Sequence, residues 1–238
     1  MWRSTLNICD FVRGKSVIVV GNNSTALEIE QGELIDSYDI VVRFGKGVPD
    51  GYERYIGRRT DIWVTGGFRQ GLREKFPSHT QVLYNVSTLT GRPHVRPDYP
   101  HTPMYSMESI NALNDFYGGK EKRLSAGAVA GLWLVNEIAT YSSITFINFD
   151  FFKRSVKFID TKNDIMSVAS SWHLPIAVQD RIDTENPENH PAHDPLVEER
   201  IFDDIRSRKN VHFIGKIHAE SEFVQVDRMA WDSVRKRI

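Results

Sequence analysis

The sequence predicts an α/β fold in which helices cover both faces of a mainly parallel β-sheet. Short apolar runs that are rich in β-branched residues recur along the 238-residue chain, and stretches with helical spacing separate them. Runs of this kind are typical of strands that are buried on both faces of a sheet. Their alternation with helices is typical of a parallel sheet.

The first strand and the turn after it form the most informative segment. Val17–Val20 is apolar and β-branched, and this pattern stops at Gly21, which permits a tight turn and close approach of the backbone. Ser24 or Thr25 is expected to cap a helix that continues through Leu34. A strand, a turn of small residues and a helix N-terminus together form an anion site, so a phosphorylated ligand is expected here.

The other elements continue the alternation. Further strands are predicted at 38–44, 60–65, 81–85, 143–148 and 210–215, with helices at 125–140 and 193–208 and a short helical stretch up to Lys75. Segments 87–104 and 151–192 are rich in proline, histidine and polar residues, which predicts irregular structure. No repeat or boundary divides residues 1–238, so we expect a single domain in which 151–192 forms an acceptor-binding or lid segment.

The composition excludes several functional classes. A formal net charge of −1 argues against general nucleic-acid binding, which requires a basic face. The single cysteine, Cys9, excludes an internal disulfide and favours a reducing compartment. No apolar run reaches 18 residues, and residues 1–7 are too polar for a signal peptide. These features predict a cytoplasmic protein.

Three segments are expected to converge on a ligand at the carboxyl ends of the strands, where open α/β sheets bind their ligands. They are the turn at 21–24, the small residues Ser125–Gly127 that begin a helix, and Asp150 at the end of a strand. Helix capping and close packing alone would also explain Ser125–Gly127. Asp150 could instead cap the following segment or pair with an arginine.

His193 is the candidate general base. It lies at the start of the predicted helix in the segment His193–Glu198, where the helix dipole disfavours a cationic imidazole. Glu198 would orient His193 or anchor its loop. The alternative is a polar surface histidine. A metal site with His190 is disfavoured, because His-x-x-His in a proline-rich loop is not a recognised ligand pattern.

Three sequence blocks resemble the CMP-sialic acid-dependent sialyltransferases, both the Golgi type and the short bacterial type. The first is Val19–Ser24 with 35–36, 39–44, 51–53 and 56–61. The second is Leu124–Gly127 with 144–152, and the third is His193–Glu198. The resemblance implies a Rossmann-like sheet, of a GT-A-like variant, with a lid segment. It also implies inverting transfer of an ulosonic acid from its CMP conjugate to a glycan or glycolipid, without a metal or other cofactor.

The resemblance further implies roles for individual residues. Donor nucleotide binding falls to Gly21, Asn22, Asn23, Ser24, Arg43, Ser125, Ala126, Gly127 and Asp150. His193 would be the catalytic base, with Glu198 in a supporting role, and His173 and His190 are candidates for phosphate contact.

Two positions depart from the family pattern. Gly45 stands where members usually carry an asparagine that reaches the donor, and Ala126 lacks the hydroxyl of the usual turn residue. A related CMP-activated acid such as Kdo is therefore an alternative donor, which would place the protein in lipopolysaccharide or other surface-glycan biosynthesis.

Other functions and partners stay open at the level of sequence. The first alternative is a different nucleotide-binding Rossmann-like enzyme. Binding of a dinucleotide such as NAD is disfavoured, because the turn after the first strand lacks Gly-x-Gly-x-x-Gly. A non-catalytic protein that keeps only the fold is the second alternative. Arg92, Arg96 and the run Arg235–Arg237 could contact the inner membrane surface peripherally, although a solvated charge run explains the tail more simply. The acceptor and the oligomeric state are not indicated.

Overall fold

The computed structural model describes residues 8–22, 26–27, 29–45, 47–66, 73–85, 99–119, 124–137, 141–149, 157–160, 164–167 and 193–214. Its helices are α1 (Ile8–Val12), α2 (Gly32–Asp36), α3 (Glu53–Ile56), α4 (Met107–Phe116), α5 (Ala126–Glu137) and α6 (Pro195–Arg206). Its strands are β1 (Ser16–Val20), β2 (Ile40–Phe44), β3 (Ile62–Thr65), β4 (Gln81–Tyr84), β5 (Thr102–Pro103), β6 (Ser143–Ile147), β7 (Lys157–Asp160), β8 (Asp164–Ser167) and β9 (Val211–Ile214).

Seven of these strands form one parallel sheet in the order β5-β4-β3-β2-β1-β6-β9. The chain moves outward from β1 through β2 to β5, then returns to the other side of β1 with β6. Val19 of β1 pairs with Val42 on one side and with Phe146 on the other. This reversal beside β1 is a topological switch point, and it opens a crevice at the carboxyl ends of β1 and β6.

Both faces of the sheet are buried, as the apolar strand runs predict. Val17 and Val19 lie in the core cluster that also contains residues of α1, α4, α5 and α6. Ile18 and Val20 point the other way and pack with Ile35 of α2. Because strand side chains alternate between the two faces, a strand covered on both sides must be apolar at successive positions. The prediction of a parallel sheet with helices on both faces is confirmed.

The segment after β1 differs from the prediction. The helix that was expected from Ser24 or Thr25 through Leu34 is not formed over the described residues of this segment, which contain a short 3₁₀ stretch at 26–27 and then α2 from Gly32. Gly32 packs so closely on α3 that a Cβ would overlap the carbonyl oxygen of Glu53. Tertiary packing, rather than helix propensity, thus sets the start of α2.

Six elements were not predicted from the sequence: α1, α3, α4, β5, β7 and β8. Helix α4 is capped by Ser106, whose hydroxyl accepts a hydrogen bond from the amide of Ser109 at 3.1 Å. Strand β5 lies within the predicted irregular segment 87–104 and pairs with β4 at the edge of the sheet, where Pro103 is tolerated. The segment 151–192 contains the antiparallel hairpin β7–β8. Irregular composition therefore hid short strands in both segments.

None of the helices in the described part of the chain is long and apolar enough to cross a membrane.

Candidate functional site

Two glycines bring the ends of β1, β6 and α5 together at the switch point. The amide of Gly21 donates to the carbonyl of Ile147 at 2.8 Å, and a Cβ at Gly21 would overlap the carbonyl oxygen of Asn148. A Cβ at Gly127 would lie 2.9 Å from the ring of Phe149. The protein's own packing therefore explains both glycines, which the sequence analysis connected with the ligand.

Phe149 is the centre of this packing. Its half-buried ring follows β6 and makes edge contacts with Phe44 of β2, at 6.0 Å between centroids, and with Phe146 of β6, at 5.7 Å. It also packs against Phe202 of α6, at 5.1 Å. The ring thus joins the carboxyl ends of β2 and β6 to helices α5 and α6.

The N-terminus of α5 is held by a carboxylate from another helix. The Ser125 hydroxyl accepts from the amide of Ala128 at 3.1 Å, which is an ordinary N-cap bond. Glu198 of α6 in turn accepts from the Ser125 amide at 2.5 Å and from the Ser125 hydroxyl at 2.6 Å. A capping box normally takes its glutamate from the third residue of the same helix. Here α6 supplies it, which ties the starts of the two helices together.

Glu198 is buried, with only 2% of its surface exposed. Burial raises the pKa of this carboxyl group to about 7, although the two hydrogen bonds from Ser125 act in the opposite direction and the nearby Asp194 adds to the rise. The carboxyl group therefore changes its charge close to neutral pH.

This titration predicts a pH-dependent stability. The native state binds more protons than the unfolded chain between the unfolded pKa of 4.5 and the folded pKa of about 7. Stability contributed by Glu198 should therefore fall as the pH rises through this window, by at most about 1.4 kcal/mol per pH unit. Urea unfolding of the native protein and of Glu198→Gln from pH 5 to pH 8 measures the effect. A free-energy difference between them that stays constant with pH, or that moves in favour of the native protein as pH rises, would contradict it.

His193 lies at the entry to α6, five residues before Glu198. Its surface is 8% exposed, so it is not the polar surface histidine that the sequence left open. Helix α6 itself begins two residues later than predicted. Asp194 is the N-cap and accepts from the amide of Leu196 at 3.1 Å, and Pro195 is the first helical residue. The bonds between Glu198 and Ser125 therefore fix the helix whose entry carries His193.

Arg43 does not fit its predicted role in donor binding. Its side chain is 1% exposed and donates to the carbonyl oxygens of Arg59 at 2.8 Å, Ile56 at 2.6 Å and Gly57 at 3.1 Å. Burial lowers the pKa of the guanidinium to about 10. Arg43 thus holds the end of α3 and the loop after it, and its side chain is almost fully covered by the protein. We correct its assignment to a structural one.

Asn22 also has a protein partner. Its side-chain Nδ2 donates to the carbonyl of Phe44 at 2.9 Å, which links the end of β1 to the end of β2. The remaining predicted site residues are Asn23, Ser24, Asp150, His173 and His190, all outside the described residues. Ala126 and Gly127 occupy the first turn of α5, as predicted.

Sequence reasoning missed the role of Phe149 and the link between Ser125 and Glu198. The sequence does contain a signal for Phe149. Gly21 after β1 and Gly127 in α5 have no side chain and so leave room for a bulky residue between them. A hydrogen bond between residues 73 positions apart leaves no local pattern. Over the described ranges, no group of three histidine, cysteine, aspartate or glutamate side chains is arranged to hold a metal ion.

Comparison with known proteins bears on this site. The model of glycosyltransferase family 29 (sialyltransferase) matches residues 12–159. Curated type 2 lactosamine α-2,3-sialyltransferases of Homo sapiens and Pan troglodytes are 38% identical to the chain over 63 residues, which is 24% of this chain and 19% of theirs. The match therefore spans about a fifth of the length of these curated relatives.

Solved structures show the same fold. A crystal structure of a mammalian sialyltransferase in complex with Gal-β-1-3GalNAc-ortho-nitrophenol superposes with a TM-score of 0.54 at 15% identity, covering 87% of this chain and 71% of that one. A second crystal structure of a mammalian sialyltransferase gives 0.51 at 16% identity, covering 84% and 69%. The family match covers more than half of the chain, and the fold agrees with it. The chain belongs to glycosyltransferase family 29, the sialyltransferase family.

Proposed function

We propose that this protein transfers a sialic acid from CMP-sialic acid to a glycan acceptor, with inversion at the anomeric carbon. One observation supports this beyond family membership. The Glu198–Ser125 bonds join α6, which follows His193, to α5, which begins at the switch-point crevice. These bonds support a site at the carboxyl edge of the sheet, with His193 as its proposed base and the start of α5 as its proposed nucleotide contact.

The proposed donor site lies at the carboxyl ends of β1 and β6. The amides of Ala126 and Gly127, in the first turn of α5, would contact the donor's phosphate or carboxylate, since helix N-termini favour negative charge. We retain Asn23, Ser24 and Asp150 as proposed nucleotide contacts, and His173 and His190 as proposed phosphate contacts, from the family resemblance.

His193 would act as the general base. It takes the proton from the acceptor hydroxyl while that oxygen attacks the anomeric carbon of the donor sugar. The bond between the anomeric carbon and the phosphate oxygen breaks, and CMP leaves with the electron pair. Attack on the face opposite the leaving phosphate inverts the configuration. Positive charge near the phosphate would stabilise the departing CMP.

Kdo is the second proposed donor sugar, because of Gly45. This glycine has φ of +51° at the end of β2, and apart from its two chain neighbours no described residue places an atom within 4 Å of a Cβ added there. Members of the family usually carry asparagine at this position, so the space beside Gly45 would accommodate a differently substituted ulosonic acid. A glycolipid acceptor belongs to the same proposal.

A transfer assay tests the proposed function and separates the two donors. The purified protein is incubated with CMP-sialic acid or CMP-Kdo, and with a type 2 lactosamine, named for the curated relatives, or with Gal-β-1,3-GalNAc, which is part of the ligand in the solved complex. We expect CMP release and an acceptor that is heavier by one sialyl residue. Release of CMP only from CMP-Kdo would mean that Kdo, and not sialic acid, is the donor sugar. Release from neither compound would contradict the proposal.

A further inference from the structure

The side chain of Asn22 spans from the end of β1 to the turn at the end of β2, in which the structure describes Phe44, Gly45 and Gly47 (the β2 turn). Its Nδ2 donates to the carbonyl oxygen of Phe44 at 2.9 Å. The same carbonyl accepts from the amide of Gly47 at 2.9 Å, which closes the turn. One oxygen therefore holds both the turn itself and its link to β1.

Gly47 is shaped to receive the Asn22 carboxamide. A Cβ at Gly47 would overlap Oδ1 of Asn22 and would lie 2.9 Å from its Cγ and 3.0 Å from its Nδ2. Gly47 is not among the glycines with positive φ, whereas Gly45 is. Glycine is thus needed at position 47 to leave space for the Asn22 side chain, and not to permit an unusual backbone conformation.

Strand β3 holds the opposite side of the β2 turn. The amide of Gly45 donates to the carbonyl of Val64 at 2.8 Å, and the indole Nε1 of Trp63 donates to the carbonyl of Gly45 at 2.8 Å. Asn22 supplies the corresponding bond from the β1 side. The turn is therefore clamped between β1 and β3, directly beside the switch-point crevice.

We propose that Asn22 is a positioning residue, which sets the β2 turn at the edge of the donor site, and that Gly47 is its required partner. This inference rests on the proposed function, because it assumes that the donor lies in the crevice next to this turn. One of the two carboxamide N–H groups is used on Phe44. In this proposal that bond acts on the donor through the turn. Loss of the clamp lets the turn move, which weakens donor binding more than it slows transfer from bound donor.

The test compares Asn22→Ala, Gly47→Ala and the double variant, with Asn111→Ala on the exposed face of α4 as the matched control. We expect each single variant to raise the Kd for CMP about tenfold, a typical loss for one structural contact. The double variant should be weaker than either single variant by less than about threefold, because both changes release the same clamp. The Asn111→Ala control should bind CMP like the native protein.

Amide hydrogen exchange in the nucleotide-free protein separates positioning from direct contact. We expect the amides of Gly45 and Gly47 to exchange faster in Asn22→Ala than in the native protein. Unchanged exchange together with weaker CMP binding would mean that Asn22 touches the donor, and would overturn the inference. Additive losses in the double variant would overturn it as well. If the native protein binds no CMP, the proposed function fails, whereas the exchange result still decides whether Asn22 clamps the turn.

Discussion

Replacing His193 with alanine is expected to lower kcat by about 100-fold or more, because general-base catalysis by a positioned side chain contributes that much. The Kd for CMP should change by less than about threefold, since the base acts on the acceptor hydroxyl and not on the nucleotide. Initial rates of CMP release and calorimetric titration with CMP measure the two quantities.

Two further variants make this result interpretable. His79 is an exposed histidine outside the crevice, and His79→Ala should retain native kcat. His193→Gln keeps most of the volume of this buried side chain and should be as slow as His193→Ala. Native turnover by either His193 variant would show that His193 is not the base. Loss of CMP binding together with a lower melting temperature would assign it a structural role instead.

Replacing Glu198 with alanine is expected to have the largest effect on stability. The change removes the acceptor for both the amide and the hydroxyl of Ser125 and leaves a cavity between α5 and α6. Lost hydrogen bonds and a buried cavity together should reduce the free energy of unfolding by about 2–4 kcal/mol at pH 6. Activity should also fall, by about tenfold or more, because α6 is then no longer fixed to the start of α5 and the position of His193 is less well defined.

Urea unfolding and initial rates test this expectation. The control is Glu33→Ala on the exposed face of α2, which should change stability by less than about 0.5 kcal/mol. A double-mutant cycle with Ser125→Ala isolates the pair, and we expect the two losses to be clearly non-additive. A Glu198→Ala protein that is as stable and as active as the native one would mean that the helix link has no energetic role.

The sheet could be predicted from the sequence because its strands are buried on both faces. β1, β2, β3, β4, β6 and β9 all appear as apolar runs, and the structure places each of them within one to two residues of the prediction. Helix α5 was equally clear, since Ser125 marks its start. These elements satisfy local preference and tertiary packing at the same time.

The elements that were missed are those for which local sequence and packing disagree. Strand β5 contains Pro103 and pairs along only two residues at an edge, so it has no strand signal. The turn after β1 offered capping residues for a helix, yet α2 starts only at Gly32 because of its contact with α3. Long-range packing therefore overrode propensity in both places.

The sequence predicted that the turn at 21–24, Ser125–Gly127 and Asp150 converge, because the ends of parallel strands meet at one edge of a sheet. The structure brings Gly21 and Gly127 together around Phe149, whereas Asp150 lies outside the described residues. The sequence could not show that the Arg43 side chain is buried against the carbonyl groups at the end of α3, because an arginine in a strand carries no sign of the partners it finds after folding. It also could not show that Glu198 bonds Ser125, because residues on separate helices meet only after folding.

Calorimetric titration of the purified protein with CMP, against UMP, GDP and NAD, tests the central claim most directly, because it depends on neither the acceptor nor the donor sugar. We predict selective binding of CMP, retained in His193→Ala and weakened in Gly47→Ala. Absence of CMP binding, or a preference for one of the other nucleotides, would leave the fold in place and contradict the proposed transfer from a CMP-linked donor.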